Sequence, residues 1–84
     1  SHAYPYNNLG VLLKNLKRYE EAETAFRKAF EIDPKFANPY DNLGDMLVDL
    51  KRYGEAEIVL LKAIEIDPSK TTAYIRLGNA LQKT

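Results

Sequence analysis

The chain has 84 residues, 12 basic and 12 acidic side chains, and no cysteine, so one compact unit without disulfides or thiolate metal sites is expected. Its formal charge of zero lacks the basic surplus of a nucleic-acid binder. No apolar run approaches the ~18 residues that span a bilayer, and no basic stretch leads into an apolar one at the start, so no membrane segment and no signal peptide are expected, and the expected location is cytoplasmic.

Taken in chain order, Ser1-His2 reads as the remnant of a removed tag. A first helix is predicted over about 5–17, with Tyr6, Leu9, Gly10, Leu13 and Leu16 on one face. A second is predicted over about 20–32, where Ala22, Ala25, Phe26, Ala29 and Phe30 share a face. Glu20, Glu21 and Glu23 fall in its first turn, where the helix dipole favours anions. Pro34 ends it, because the residue before a proline resists the helical conformation. The same sequence of signals then returns. Helices are predicted over about 39–51 and 54–66, with Asn38 as the cap of the third and Pro68 closing the fourth. A fifth is predicted over about 73–83. Pro5 and Pro39 suit the first helical turn, where no amide donor is needed.

The return has an exact period. A shift of 34 residues aligns 3–36 with 37–70, and 20 of the 34 pairs are identical. Units of 3–36 and 37–70 are therefore expected, with 71–84 as the first helix of a third. Gly10, Gly44 and Gly78 recur in register inside first helices, where glycine costs about 1 kcal/mol relative to alanine. Close helix approach is the expected reason, with Ala22 and Ala56 as the small surface opposite.

These residues resemble the tetratricopeptide repeat. The first unit reads Tyr6, Leu9-Gly10, Leu13, Ala22, Phe26, Pro34, and the second Tyr40, Leu43-Gly44, Leu47, Ala56, Leu60, Pro68. The third start reads Tyr74, Leu77-Gly78, Leu81. Tyrosine replaces the usual tryptophan, and Lys17 and Lys51 stand where a helix-ending glycine is common. The resemblance implies an all-α solenoid: a right-handed stack of antiparallel helix pairs, about two and a half repeats in five helices, with a concave face lined by the first helix of each pair.

Nothing in the chain points to catalysis. His2 is the only histidine, no phosphate-binding glycine loop is present, and no nucleophile–base pair is evident. No enzyme activity, cofactor or metal is expected. The six tyrosines recur at repeat positions and are expected in the core. Function is expected from surface. From the resemblance, Asn7, Asn8, Val11 and Asn15 face the groove from the first helix, Asp41, Asn42, Asp45 and Asp49 from the third, and Ile75, Arg76, Asn79 and Lys83 from the fifth. Asp41, Asp45 and Asp49 form a stripe with steps of about 6 Å along the helix axis, too long for all three to share one ion. The stripe is expected to be solvated, partly neutralised by Arg76 or Lys83, and to favour cationic ligands.

Some members of the family clamp chaperone tail carboxylates with two lysines, two asparagines and an arginine. Here Asn42 and Arg76 match, but Asn7, Val11 and Thr72 stand at the other three places, so that ligand is not expected. Asn8 and Asn42 look more like the asparagine rows with which other members hold peptide backbone. The leading expectation is a protein–protein interaction module that holds a peptide or partner helix in the groove. The alternatives are a structural, self-assembling or engineered scaffold without its own ligand, and the regulatory repeats of a larger enzyme. Ile58, Leu61, Tyr74, Ile75, Leu77 and Leu81 are expected to form an apolar patch at an unfinished C-terminal end. A further repeat would cover it, or a second copy in a homodimer or end-to-end stack.

Overall fold

The computed structural model describes residues 2–83. Among them are five helices and no strand: α1 Ala3–Asn15, α2 Tyr19–Ile32, α3 Asn38–Asp49, α4 Tyr53–Ile66 and α5 Thr71–Lys83. Ser1 and Thr84 lie outside the described residues, so the tag reading of Ser1 has no structural counterpart. Helix α1 packs along α2, and α3 along α4. Helix α3 also touches α1, α2 and α5, and α5 lies against α4. The result is a slab of 34 × 27 × 16 Å in which α3 is the central element.

The boundaries fall within about two residues of the sequence expectation, and the differences have physical reasons. Helices α1 and α3 stop two residues early because Lys17 and Lys51 adopt the left-handed conformation, at φ 62° and 61°. The Lys17 amide then donates to the Lys14 carbonyl and the Arg18 amide to that of Leu13, both at 2.9 Å. Lys51 and Arg52 donate likewise to Val48 and Leu47. This is a Schellman motif made without its usual glycine. A left-handed L-residue costs about 1–2 kcal/mol. Lys17→Gly and Lys51→Gly are therefore each expected to stabilise the chain by about 1 kcal/mol, raising Tm by roughly 4–8 °C in calorimetry.

Asn38 does not cap α3. It is the first helical residue, Ala37 holds the cap position, and no side chain caps there. Pro39 retains the expected place in the first turn. At the other ends, Asp33 and Asp67 leave helical geometry directly before proline. Each carboxylate then takes an amide two residues on, Lys35 at 3.2 Å and Ser69 at 3.1 Å. Hydrogen bonds from the Ser69 hydroxyl and amide hold the Asp67 carboxyl below its ordinary pKa.

The core runs through the pairs. Ala22, Ala25 and Phe26 of α2 cluster with Leu13, and Ala56, Leu60 and Ala63 of α4 with Leu43, Met46 and Leu47. Two of the three glycines are close-approach positions, but the surface opposite is not alanine. A Cβ on Gly10 would lie 2.5 Å from the Phe26 ring, and one on Gly44 would collide with Leu60. Around Gly78 there is open space. The tyrosines divide: Tyr19, Tyr40 and Tyr53 pack partly against the core, while Tyr4, Tyr6 and Tyr74 are exposed. Leu9 and Leu16 are also exposed, because α1 is the first helix of the stack and its outer side has no neighbour among the described residues.

The two repeats are also joined on the outer side. Glu23 lies in the second turn of α2, not the first, and reaches both Arg27 at 2.9 Å and Arg52 of the next repeat at 3.1 Å. Burial raises the pKa of the Glu23 carboxyl, but hydrogen bonds from the two guanidinium groups outweigh it and hold the group below its ordinary 4.5. A depressed carboxyl adds stability that is fully present above the unfolded pKa and is lost as pH falls through the folded one. Glu23→Gln is thus expected to lower Tm at pH 7, and the gap to the parent chain is expected to close as pH falls well below 4.5. Thermal melts across that range check it.

Candidate functional site

Helices α1, α3 and α5 lie side by side, so one face of each builds a common surface. Its centre is a polar network. Asn42 Nδ2 donates to Asn7 Oδ1 at 3.0 Å, joining α3 to α1. Lys14 Nζ donates to Asp45 Oδ2 at 2.8 Å, a second link between the same helices. The Arg76 guanidinium of α5 lies 2.9 Å from Asp41 Oδ1 and 3.3 Å from Asp45 Oδ1. Thr72 Oγ1 donates a short 2.5 Å hydrogen bond to Asp41 Oδ2, and Lys70 Nζ stands 3.8 Å from the same oxygen.

Asp41 is the buried member, 3% exposed. Its Oδ1 has Arg76 as an ion-pair partner but without hydrogen-bond alignment, so charge alone compensates that oxygen. A buried carboxylate persists only where opposite charge and donors surround it, and here Arg76, Lys70 and Thr72 do so.

The aspartate stripe is therefore not the solvated face that its spacing suggested. Asp41 is buried, Asp45 is half-buried between Lys14 and Arg76, and only Asp49 stands in solvent. Arg76 neutralises the stripe as expected. Lys83 is exposed and pairs with none of the three aspartates. Asn7 pairs with Asn42, and Asp41, Asp45 and Arg76 form a separate charge network. Asn8, Asn15, Ile75 and Asn79 stay exposed on α1 and α5, while Val11 packs partly against the core. Of the residues at the five clamp places, Asn7 and Asn42 bond to each other, and Thr72 and Arg76 serve Asp41.

Lys14 and Lys70 were not singled out in the sequence, yet both hold aspartates. One signal was available. Lys14 aligns with Val48 and Lys70 with Phe36, so each departs from the repeat. Asn7 and Asp41, Val11 and Asp45, and Asn42 and Arg76 are likewise unlike pairs in register. The site is written in the positions where the repeats differ.

The six residues expected as one C-terminal patch belong to two packed helices, Ile58 and Leu61 to α4 and the other four to α5. Ile58 and Leu61 line a depression of about 380 Å³ with Arg27 and Phe30 of α2, and no α5 residue lines it. Leu77 is half-buried against the core. Tyr74, Ile75 and Leu81 are exposed on α5, near the open space around Gly78.

Residues 3–36 match a family model described as tetratricopeptide repeat, and residues 44–84 match one described as TPR repeat. Among solved structures, the chain is similar to the Arabidopsis OM64 TPR domain, at 27% identity and a TM-score of 0.92 over 98% of this chain and 68% of that one. It is also similar to the N-terminal domain of stress-induced protein-1 (STI-1) from C. elegans, at 28% identity and a TM-score of 0.89 over 98% of this chain and 70% of that one. No curated protein matches the sequence. With both halves matched and the whole helical stack shared, the chain belongs to the tetratricopeptide repeat family, whose members are generally non-enzymatic protein–protein interaction modules.

Proposed function

We propose that the face built by α1, α3 and α5 holds an extended peptide segment of a partner protein, chiefly by its backbone. The observation that carries this reading is the internal neutralisation of the groove. Asp41 and Asp45 are met by Lys14, Lys70 and Arg76, so little charge remains to attract an ion. The side chains left to solvent include the amides of Asn8, Asn15 and Asn79, with Asp49, Lys83 and the apolar Ile75. An amide donates to a peptide carbonyl and accepts from a peptide N–H, so such a surface reads backbone and tolerates sequence. The ligand is accordingly neither strongly basic nor strongly acidic. Among the described residues the face spans three helices, and small interfaces sit at the weak end of affinity.

Acidic, basic and neutral peptide pools titrated against the ¹⁵N-labelled chain test the reading. Shifts are expected on α1, α3 and α5, with the neutral pool at least as effective as the others and little change with salt. Shifts confined to α2 and α4 would reject the groove. A strong preference for the basic pool would restore the cationic ligand that the aspartate stripe first suggested. A scaffold without its own ligand predicts no saturable shift with any pool.

A further inference from the structure

The second helix of each repeat has an outer side that stacking does not cover. Helix α4 exposes Gly54, Glu55, Ile58, Leu61, Lys62 and Glu65. Their spacing sets them on the side turned away from the buried Ala56, Leu60 and Ala63. In the 34-residue register the counterparts on α2 are Glu20, Glu21, Thr24, Arg27, Lys28 and Glu31, and all of them are exposed as well. Helix α2 is followed by a complete repeat, and α4 is preceded by one, yet both faces stay open. Among the described residues α2 and α4 do not pack on each other. A neighbouring repeat on either side thus leaves this face free, so its exposure on α4 is a property of the repeat and not of the limits of the stack.

What differs between the two helices is the middle of the face. Where α2 has Thr24 and Arg27, α4 has Ile58 and Leu61, 70% and 49% exposed. The flanking charges are kept, since Glu55 and Lys62 repeat Glu21 and Lys28. Glu55 accepts hydrogen bonds from Arg52 at 2.6 and 2.7 Å, one on each oxygen, which leaves carboxylate lone pairs free. Lys62 Nζ stands 3.8 Å from Glu65, too far for a hydrogen bond.

We infer that the outer face of α4 is a homodimer interface, in which α4 packs antiparallel on α4 of a second copy about a two-fold axis. The face is complementary to itself. Setting Ile58 against Leu61 of the second copy also sets Leu61 against its Ile58. In the same register Glu55 comes beside Lys62 of the second copy, and Lys62 beside its Glu55, at the flanking places where charges set the partner and direction of paired helices. A second copy therefore supplies an aliphatic group for each aliphatic group and an opposite charge for each flanking charge. Helix α2 of a second copy does not, because it would set Thr24 and Arg27 against the apolar pair. Gly54 and Glu65 continue the face without apolar area, so the contact is small and the dimer weak. The face lies outside the groove built by α1, α3 and α5, so it does not rest on the peptide reading.

Sedimentation equilibrium and ¹⁵N spectra over a dilution series, up to millimolar chain, test the inference. Dimer is expected to grow with concentration, and the shifts on dilution are expected to centre on 54–65. Ile58→Thr combined with Leu61→Arg installs the residues that α2 carries at the same positions. This variant is expected to keep its helical content and to lose association at least about tenfold. Glu55→Lys and Lys62→Glu each set like charges against one another and are expected to weaken self-association several-fold. Mixed in equal amounts, these two variants are expected to recover it, because each chain then meets opposite charges on the other. A monomer at every concentration would overturn the inference. So would a dimer that survives Ile58→Thr with Leu61→Arg, dilution shifts centred on α1 or α5, or a mixture that associates no better than its components.

Discussion

Arg76→Ala is expected to destabilise the chain by about 3 kcal/mol and to release α5 from the stack. The reason is the carboxylate it leaves behind. Asp41 is buried, and Arg76 supplies the nearest cationic group to its Oδ1, at 2.9 Å. Breaking a buried pair by removing one member costs about 3–5 kcal/mol, because the other charge stays desolvated. The loss falls at the lower end because Thr72 still donates to Oδ2 and Lys70 stands 3.8 Å away. A chain of 84 residues has a total stability of roughly 4–13 kcal/mol at 0.05–0.15 kcal/mol per residue. A loss of this size therefore shifts a large part of the population. Hydrogen exchange is expected to accelerate first in α5, whose polar attachment to α3 runs through Asp41 and Asp45. Adding Asp41→Asn to Arg76→Ala is expected to restore part of the loss, since the neutral amide no longer needs a cation. Asp49→Asn, in solvent, is expected to change stability by less than about 0.5 kcal/mol. Denaturant melts of the four chains decide the matter. A loss below about 1 kcal/mol for Arg76→Ala would show that water reaches Asp41 and that the pair is an ordinary surface contact.

Gly44→Ala and Gly78→Ala are expected to move stability in opposite directions, although the two glycines occupy the same place in the repeat. In a bare helix, either change gains about 1 kcal/mol. At Gly44 the new Cβ collides with the branch carbon of Leu60, a residue with no exposed surface. Overpacking costs about 1–3 kcal/mol, so the net result is a loss of up to about 2 kcal/mol. At Gly78 nothing lies within 4 Å, so the gain of about 1 kcal/mol survives whole. Calorimetry of the two variants is the check. If Gly44→Ala also raised Tm, the α3–α4 approach would be looser than the buried Leu60 implies.

The pairs of unlike residues at like positions also bear on helix order. The α1–α3 junction is joined by two amides, Asn7 and Asn42, whereas the α3–α5 junction joins Asp41 to Arg76 at the same register. A first helix placed against α3 in the position of α5 would set Asn8 where Arg76 stands and leave Asp41 without its cation. The charge pair thus specifies which helix follows α3.

The helices, their number, the 34-residue period and the family were legible in the sequence. These depend on local signals: apolar spacing near 3.6 residues, proline before or after a helix, and identity between units. The expected close approach at Gly10 and Gly44 was legible too, but its partners were not. Phe26 and Leu60 lie sixteen residues further on, and only the crossing of two helices brings them to the glycines.

What the tertiary structure decided was the state of each charge and the cover of each apolar face. Asp41, Asp45 and Asp49 look alike along one helix, yet α5 buries the first, shares the second with α1 and leaves the third in water. Asn38 had the chemistry of a cap and Ile58 the chemistry of a terminal patch. Helix α3 began one residue earlier, and Ile58 turned toward α2. Spacing along a chain specifies which residues share a side of a helix. It does not specify which neighbour, or how much water, that side meets, because burial depends on the position of every other helix in the stack.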